Sequence, residues 1–469
     1  MTTQKARFRR QIRNFTLIWS GITFIMGVTT FIAIYAAAGS LTGTTTSDNF
    51  RNVGIPTAGS TSVAAAVQQT TSTPRPTQAP VSSPTAETAA QLAATTEQSA
   101  PAPTATTLPI DDKRFQLGVQ VQVSVDNMAQ WTNVARNQLS VRWVKEQVRW
   151  QDIEKQQGDF DWFETDTYLT AAAAEGLKVL VSVVTAPDWA REPGVDLTQI
   201  GPPANVQDYA NFVTALLRRY PGQIHAIEIW NEQNLDREWT SAAGLSAANY
   251  VSLLHTAYQA VKAVDPGVIV ISGALSPTGL SDGVHAYDDF VYMDAMIAAG
   301  LLNYTDCVGA HHNGINLSPD YTYDSGYNDP TAIFRGPFDN PHHSWSFRST
   351  LQTYATKIAQ APNSTGQKLC VTEFGWPSAE GLEGVREGFD FAKDNTLEEQ
   401  RDFTIKALDY MQESDFVWLA FLWNLNYGPQ AGWATDNDNV PYSIIGPNFV
   451  FRPVFDAVRD WNRAYEGGN

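Results

Sequence analysis

Cysteine is nearly absent from this chain: Cys307 and Cys370 are the two present among 469 residues, too few for the disulfide framework of a small secreted scaffold. Basic residues are outnumbered, 31 Lys and Arg against 49 Asp and Glu, and the net charge is −18. That balance argues against a nucleic-acid partner, because such binding rests on clustered Lys and Arg neutralising phosphates. Long apolar runs are also missing, with a single exception near the N-terminus, so a polytopic membrane protein is excluded. No internal sequence repeat is visible beyond an alternation of strand-like and helix-like stretches. What the chain has in quantity is apolar and aromatic residues, 43% and 11%, enough for one large core with appended segments.

The exceptional run is Phe15 to Ala38, which carries no charged side chain and exceeds the ~20 residues a membrane-spanning helix needs. Lys5, Arg7, Arg9, Arg10 and Arg13 precede it. We read residues 1–14 as a cytoplasmic basic segment and 15–38 as a single transmembrane anchor, with the remainder of the chain outside the cytoplasmic membrane, extracellular or periplasmic. A cleaved signal peptide would have an apolar region of only ~7 to 15 residues, although Ala36-Ala37-Ala38-Gly39 offers small residues for cleavage. Residues 39–110 are rich in Thr, Ser, Ala, Pro and Gln, with Phe50 the lone aromatic. Such a composition cannot bury enough apolar surface to offset chain entropy and predicts a disordered linker. Treated as a flexible coil, it would span roughly 45 Å.

From residue 115 onward, short apolar strands alternate with amphipathic helical stretches, the pattern of a parallel sheet with crossover helices. Eight strands are expected: Gln116 to Val121, Ser140 to Arg149, Lys178 to Val184, His225 to Asn231, Val268 to Gly273, Cys307 to His311, Lys368 to Glu373 and Phe416 to Trp423. Seven helical runs lie between and after them, the last being Val450 to Tyr465. The fold class is therefore α/β, a (β/α)8 TIM barrel over residues 111–469, whose active site belongs at the C-terminal ends of the strands. Counting alternate positions back from His311 and Glu373 points Cys307 inward and Cys370 outward, so the two cysteines are expected as separate buried thiols.

Two strands end in a glutamate. The fourth runs Ile227-Glu228-Ile229-Trp230-Asn231-Glu232, and the seventh runs Leu369-Cys370-Val371-Thr372-Glu373, with Trp376 three residues on. An Asn-Glu pair after an apolar run also suits a helix N-cap with an acidic first turn. Two such glutamates, on the fourth and seventh of eight strands, are what a retaining glycosidase requires. Here the chain resembles glycoside hydrolase clan A, most closely families 39 and 5, over about residues 115 to 460.

That resemblance implies Glu232 as acid/base and Glu373 as nucleophile, cleaving a β-linked carbohydrate without a cofactor. Glu232 is then expected to rest protonated and Glu373 ionised. Asn231 would bind the 2-hydroxyl of the reacting sugar, and Trp423 would lie under it. His311 takes the place of the clan's histidine on strand 6, and Lys145, Gln147 and Arg149 share the inner face of strand 2. Lys145 stands where relatives usually have arginine, and keeps the charge without the fork. Trp189, in Ala186-Pro187-Asp188-Trp189, resembles a sugar-stacking position, and Trp376 is a further candidate. Asn313 departs from the pattern, since the clan often places a tyrosine there to bond the nucleophile; Tyr321, Tyr323 or Tyr327 could supply it.

His311-His312 has no third ligand at metal spacing, and Asp436-Asn437-Asp438-Asn439 lacks the Gly and Glu of a calcium loop, so no metal site is expected. The loop from Asn313 to Trp345 is too long for a plain connector. Its Phe334, Phe338, His342, His343 and Trp345 form either a cleft wall or a small satellite core. Two alternatives to hydrolysis stay open: a carbohydrate-binding or scaffold barrel without turnover, and a transglycosylase remodelling a surface glycan. The catalytic domain is expected to be monomeric.

Overall fold

A computed structural model of the chain describes residues 113–123, 126–325, 329–333, 342–428, 434 and 437–467. The expected cytoplasmic segment, anchor and linker lie outside the described residues. Among the described residues, no helix is long and apolar enough to cross a membrane.

Eight parallel strands form: β1 Gln116–Gln120, β2 Trp143–Arg149, β3 Lys178–Val184, β4 Ala226–Ile229, β5 Ile269–Ser272, β6 Val308–Asn313, β7 Leu369–Gly375 and β8 Val417–Leu422. Their hydrogen-bonded order is β5-β4-β3-β2-β1-β8-β7-β6. Bridges from Ile271 to Cys307 and from Leu275 to Ala310 bring β5 and its continuation beside β6, which closes the ring. A helix follows each strand: α1 Met128–Asn133, α2 Phe163–Ala174, α3 Val206–Arg219, α4 Ala247–Val264, α5 Asp289–Ala298, α6 Phe347–Gln360, α7 Leu397–Glu413 and α8 Pro453–Gly467.

Local sequence chemistry sets the helix starts. The side chains of Asn205, Ser246, Asp288 and Ser346 accept the first free amides of α3, α4, α5 and α6, groups that otherwise lack an intrahelical partner. Thr396 and Glu399 make a reciprocal capping box at α7. The last helix begins at Pro453 rather than at Val450, since proline suits a first turn and needs no amide partner there.

The apolar residues divide into two shells. Outward-facing Val144, Val179, Val181, Ile227 and Val371 pack under the helices. Inward-facing Trp143, Leu180, Ala226, Ile271, Trp418 and Phe421 fill the barrel's lower interior together with both cysteines. Above this plug, toward the C-terminal ends, the interior turns polar with Lys145, Ser182, Glu228, His311 and Thr372, all buried.

The structure corrects the expectation of separate thiols: Cys307 and Cys370 form a disulfide, with S–S 2.08 Å and Cα–Cα 5.7 Å. Simple alternation fails because β7 carries a bulge. Ala310 pairs with Val371 while His311 pairs with Glu373, which leaves Thr372 as an extra residue and reverses the inside-outside count beyond it. Thr372 and Glu373 both point inward, and so does Cys370.

Candidate active site

Strand β4 stops two residues before its expected end, because Trp230 at φ 78° and Glu232 at φ 44° adopt left-handed backbone. Non-glycine residues pay about 1–3 kcal/mol for such conformations, and here they turn the chain so that Glu232 enters the barrel mouth. On the opposite side the β7 bulge aims Glu373 at the same place. The end of β7 lies tightly on the end of β8: a Cβ at Gly375 would fall 2.5 Å from the Trp423 carbonyl oxygen, so Trp423 is held beside the Glu373 strand.

His311, at the end of β6, stands between the two glutamates. Its Nδ1 lies 3.2 Å from Glu232 Oε1 and 3.7 Å from Glu373 Oε2, so the carboxylates are separated by no more than the sum of those lengths. Lys145 Nζ donates to Glu373 Oε1 at 2.9 Å in an ion pair buried on both sides, and Asn313 Nδ2 donates to Glu373 Oε2 at 3.2 Å. Asn313 thus bonds the glutamate itself. Neither Tyr321 nor Tyr323 is among the residues of the cavity wall. Tyr327 lies outside the described residues.

The carboxylates open into a cavity of about 650 Å³ whose wall includes Gln147, Arg149, Asn231, Glu232, Glu373 and Trp423. Gln147 Nε2 reaches Asn231 Oδ1 at 3.4 Å, and Arg149 pairs with Asp152 at 2.9 Å. Lys145 and His311 lie beneath the carboxylates and act on them rather than on the cavity. Two residues expected at the sugar are placed elsewhere. Trp189 donates to the Glu154 carbonyl and packs edge-on against Trp150. Trp376 donates to the Leu317 carbonyl and is buried among Phe347 and Phe403. Trp376 is buried, Trp189 is partly buried against the core, and neither lines the cavity. In the long β6–α6 loop, Trp345 joins Leu317 and Ala332 in a satellite core; Phe334 and Phe338 lie outside the described residues.

Sequence reasoning missed three charged groups. Glu228, fully buried below the mouth, accepts from Ser182, from Thr372 Oγ1 at 2.7 Å and from the Ala274 amide at 3.2 Å, with Lys145 Nζ at 3.7 Å. Arg237 Nη2 donates to Glu232 Oε2 at 3.2 Å, and Glu238 beside it lines the cavity. For Arg237 and Glu238 the place on the loop after β4 was the available signal, since loops at strand C-terminal ends build the site of such a barrel; Glu228 lies within β4. Phe389 and Phe391, on the loop after β7, and Tyr427 and Tyr442 beyond β8 add aromatic wall.

These charges set protonation. Burial pushes the Glu232 carboxyl up, but the hydrogen bond and charge of His311, and then Arg237, outweigh it and hold it down at about 2. Burial works against a charged His311, yet the Glu373 charge and the bond to Glu232 raise it above its ordinary value. Burial and the Glu232 charge lift Glu238 to about 7, against the pull of Arg237. The expectation of a protonated Glu232 at rest runs against this direction: in the free chain His311 and Arg237 favour the ionised form of Glu232.

Residues 109–272 match the model of glycosyl hydrolase family 10. No curated protein matches the chain in sequence. Among solved structures, it is similar to a family 39 glycoside hydrolase from Bacteroides cellulosilyticus WH2, at 19% identity and TM-score 0.55 over 75% of this chain and 64% of that one. A GH39 enzyme from Xanthomonas axonopodis pv. citri gives 15% and 0.50 over 74% and 66%. A GH5_18 protein from Streptomyces cattleya, in complex with Manb1-4GlcNAc, gives 14% and 0.52 over 76% and 81%. The chain thus spans just under two thirds of the two family 39 structures. The likeness shows the fold, a (β/α)8 barrel shared with these glycoside hydrolase structures.

Proposed function

We propose that this protein is a retaining glycoside hydrolase that cleaves β-linked oligo- or polysaccharide outside the cell. One observation carries the reading: two carboxylates on the C-terminal ends of β4 and β7 flank one histidine at the mouth of a polar cavity. Glu373 attacks the anomeric carbon as Glu232 delivers a proton to the leaving oxygen; Glu232 then takes a proton from the water that frees the glycosyl-enzyme. Configuration is retained. Lys145 supplies the counter-charge for Glu373. His311, hydrogen-bonded to Glu232, is placed to pass it the proton that Glu232 must deliver. Asn231 bonds the 2-hydroxyl, and Trp423 supports the sugar ring.

Lys145 and Asn313, the two departures that left an inactive barrel open, both bond Glu373 directly, which supports turnover. The disulfide supports a location outside the cytoplasm, where such bonds persist, in line with an N-terminal anchor. The test is the full chain on a panel of β-linked polysaccharides, read by reducing-end release and by product anomer in NMR. The expected result is release with the β-anomer formed first. Release unchanged in Glu232→Ala, or an α-anomer formed first, overturns the reading.

A further inference from the structure

Glu228 is a third carboxylate of the barrel interior, and the reaction as read above gives it no part. It projects from β4, fully buried, and its neighbours are donors or cations. Oε1 accepts from Thr372 Oγ1 at 2.7 Å and from the Ala274 amide at 3.2 Å, and lies 4.0 Å from His311 Nε2. Oε2 accepts from Ser182 Oγ and lies 3.7 Å from Lys145 Nζ. Lys145 is fully buried as well, and its ammonium donates to Glu373 Oε1 at 2.9 Å. One buried cation therefore stands between two carboxylates, bonded to Glu373 and just out of bonding distance of Glu228.

Hydrogen bonding by itself does not call for a charge at this position, since a glutamine oxygen would accept from Thr372 and Ala274 as well. The need for one appears when the double displacement is followed as a movement of charge. Glu373 enters as a carboxylate, forms a bond to the anomeric carbon and becomes a neutral ester; the bond from that carbon to the leaving oxygen breaks, and the Glu232 proton goes to that oxygen. One negative charge thus leaves Glu373 and appears on Glu232. His311 and Arg237 already face Glu232, but Lys145 loses its partner, and a buried cation without a counter-charge is strongly unfavourable. Glu228 is within reach. A charge-assisted N–H···O bond is about 2.8 Å long, so the 3.7 Å gap to Lys145 Nζ closes with a displacement of about 1 Å.

We propose that Glu228 is a positioning residue that shares Lys145 with Glu373 and takes it over when Glu373 is esterified. The hand-over rests on the double-displacement reading; the sharing of Lys145 does not. A lysine suits this use, because its compact ammonium on a flexible stem pivots between two single acceptors, whereas a planar guanidinium is fixed by its fork. In the second step, as water attacks the anomeric carbon and the ester bond breaks, Lys145 returns to Glu373 and stabilises the departing carboxylate.

Two experiments on the full chain test the two parts. The first is a thermal-unfolding cycle, in which Glu373→Gln stands for the neutral, esterified state. With either carboxylate present Lys145 keeps a counter-charge, so the Glu228→Gln/Glu373→Gln double variant should lose at least ~3 °C more in Tm than the two single variants added together. Repeating the cycle in a Lys145→Met background should abolish that excess. The second is kinetic, on an aryl β-glycoside that the wild type hydrolyses. Glu228→Gln should lower kcat/KM at least ~10-fold, and Glu228→Asp, which keeps the charge but is shorter, should recover most of the loss. A role in hydrogen bonding alone ranks the two variants the other way. Additive Tm losses, or an excess that survives Lys145→Met, overturn the sharing; Glu228→Gln as active as Glu228→Asp overturns the hand-over. A wild type without turnover on any β-glycoside would remove the glycosidase reading and leave the unfolding cycle to decide the sharing of Lys145.

Discussion

Arg237 and His311 grip the two oxygens of Glu232 from opposite sides, and this makes the acid/base the residue whose chemistry can be tested most sharply. Replacing Arg237 with Ala removes a charge that lowers the Glu232 carboxyl, so the Glu232–His311 pair should hold its proton to higher pH. The alkaline limb of kcat/KM, which reports the free-enzyme acid, should move upward in Arg237→Ala. Glu238 titrates nearby, at about 7, so the shift should persist in a Glu238→Gln background; a limb that stays put or moves down refutes the role of Arg237. The two glutamates are told apart by azide. Glu373→Ala should abolish turnover and be partly rescued with inverted product, whereas Glu232→Ala should still react with dinitrophenyl glycosides and give a retained azide product. Exchange of the two outcomes would reverse the roles.

At the scale of elements, the bulge in β7 does two things at once. The extra residue at Thr372 turns Glu373 into the mouth, and it leaves Cys370 facing Cys307 across the neighbouring strand. The disulfide closes a segment of 63 residues, and cross-links over loops of this size contribute about 2–4 kcal/mol, mainly by restricting the unfolded chain. Cys307→Ala/Cys370→Ala should lower the free energy of unfolding by that amount, read from the denaturant midpoint, and should leave the pH profile unchanged. A loss below ~0.5 kcal/mol would show that the β6–β7 pairing does not lean on it.

For the whole molecule, the proposal of an external, tethered barrel rests on the basic flank of residues 15–38 and on the disulfide. Protease added to intact cells should release a fragment of about the barrel's size by cutting within residues 39–110. Protection until lysis would reverse the orientation.

The barrel was legible in sequence because each strand and helix announces itself through local apolar periodicity and caps, which need no distant partner. All eight strands were placed within a few residues, and Glu232 and Glu373 were singled out by position alone. Long-range register decided the rest. A one-residue bulge at Thr372 overturned the alternation count and paired the cysteines. Trp189 and Trp376, aromatic and near strand ends, pack against other aromatic rings instead of lining the cavity. Arg237 meets Glu232 only through the turn after β4, and Lys145 meets Glu228 and Glu373 only because three strands share one barrel interior. Pattern along a chain determines which elements form; which side chains meet is set by how those elements pack, and that is where protonation and ligand binding are decided.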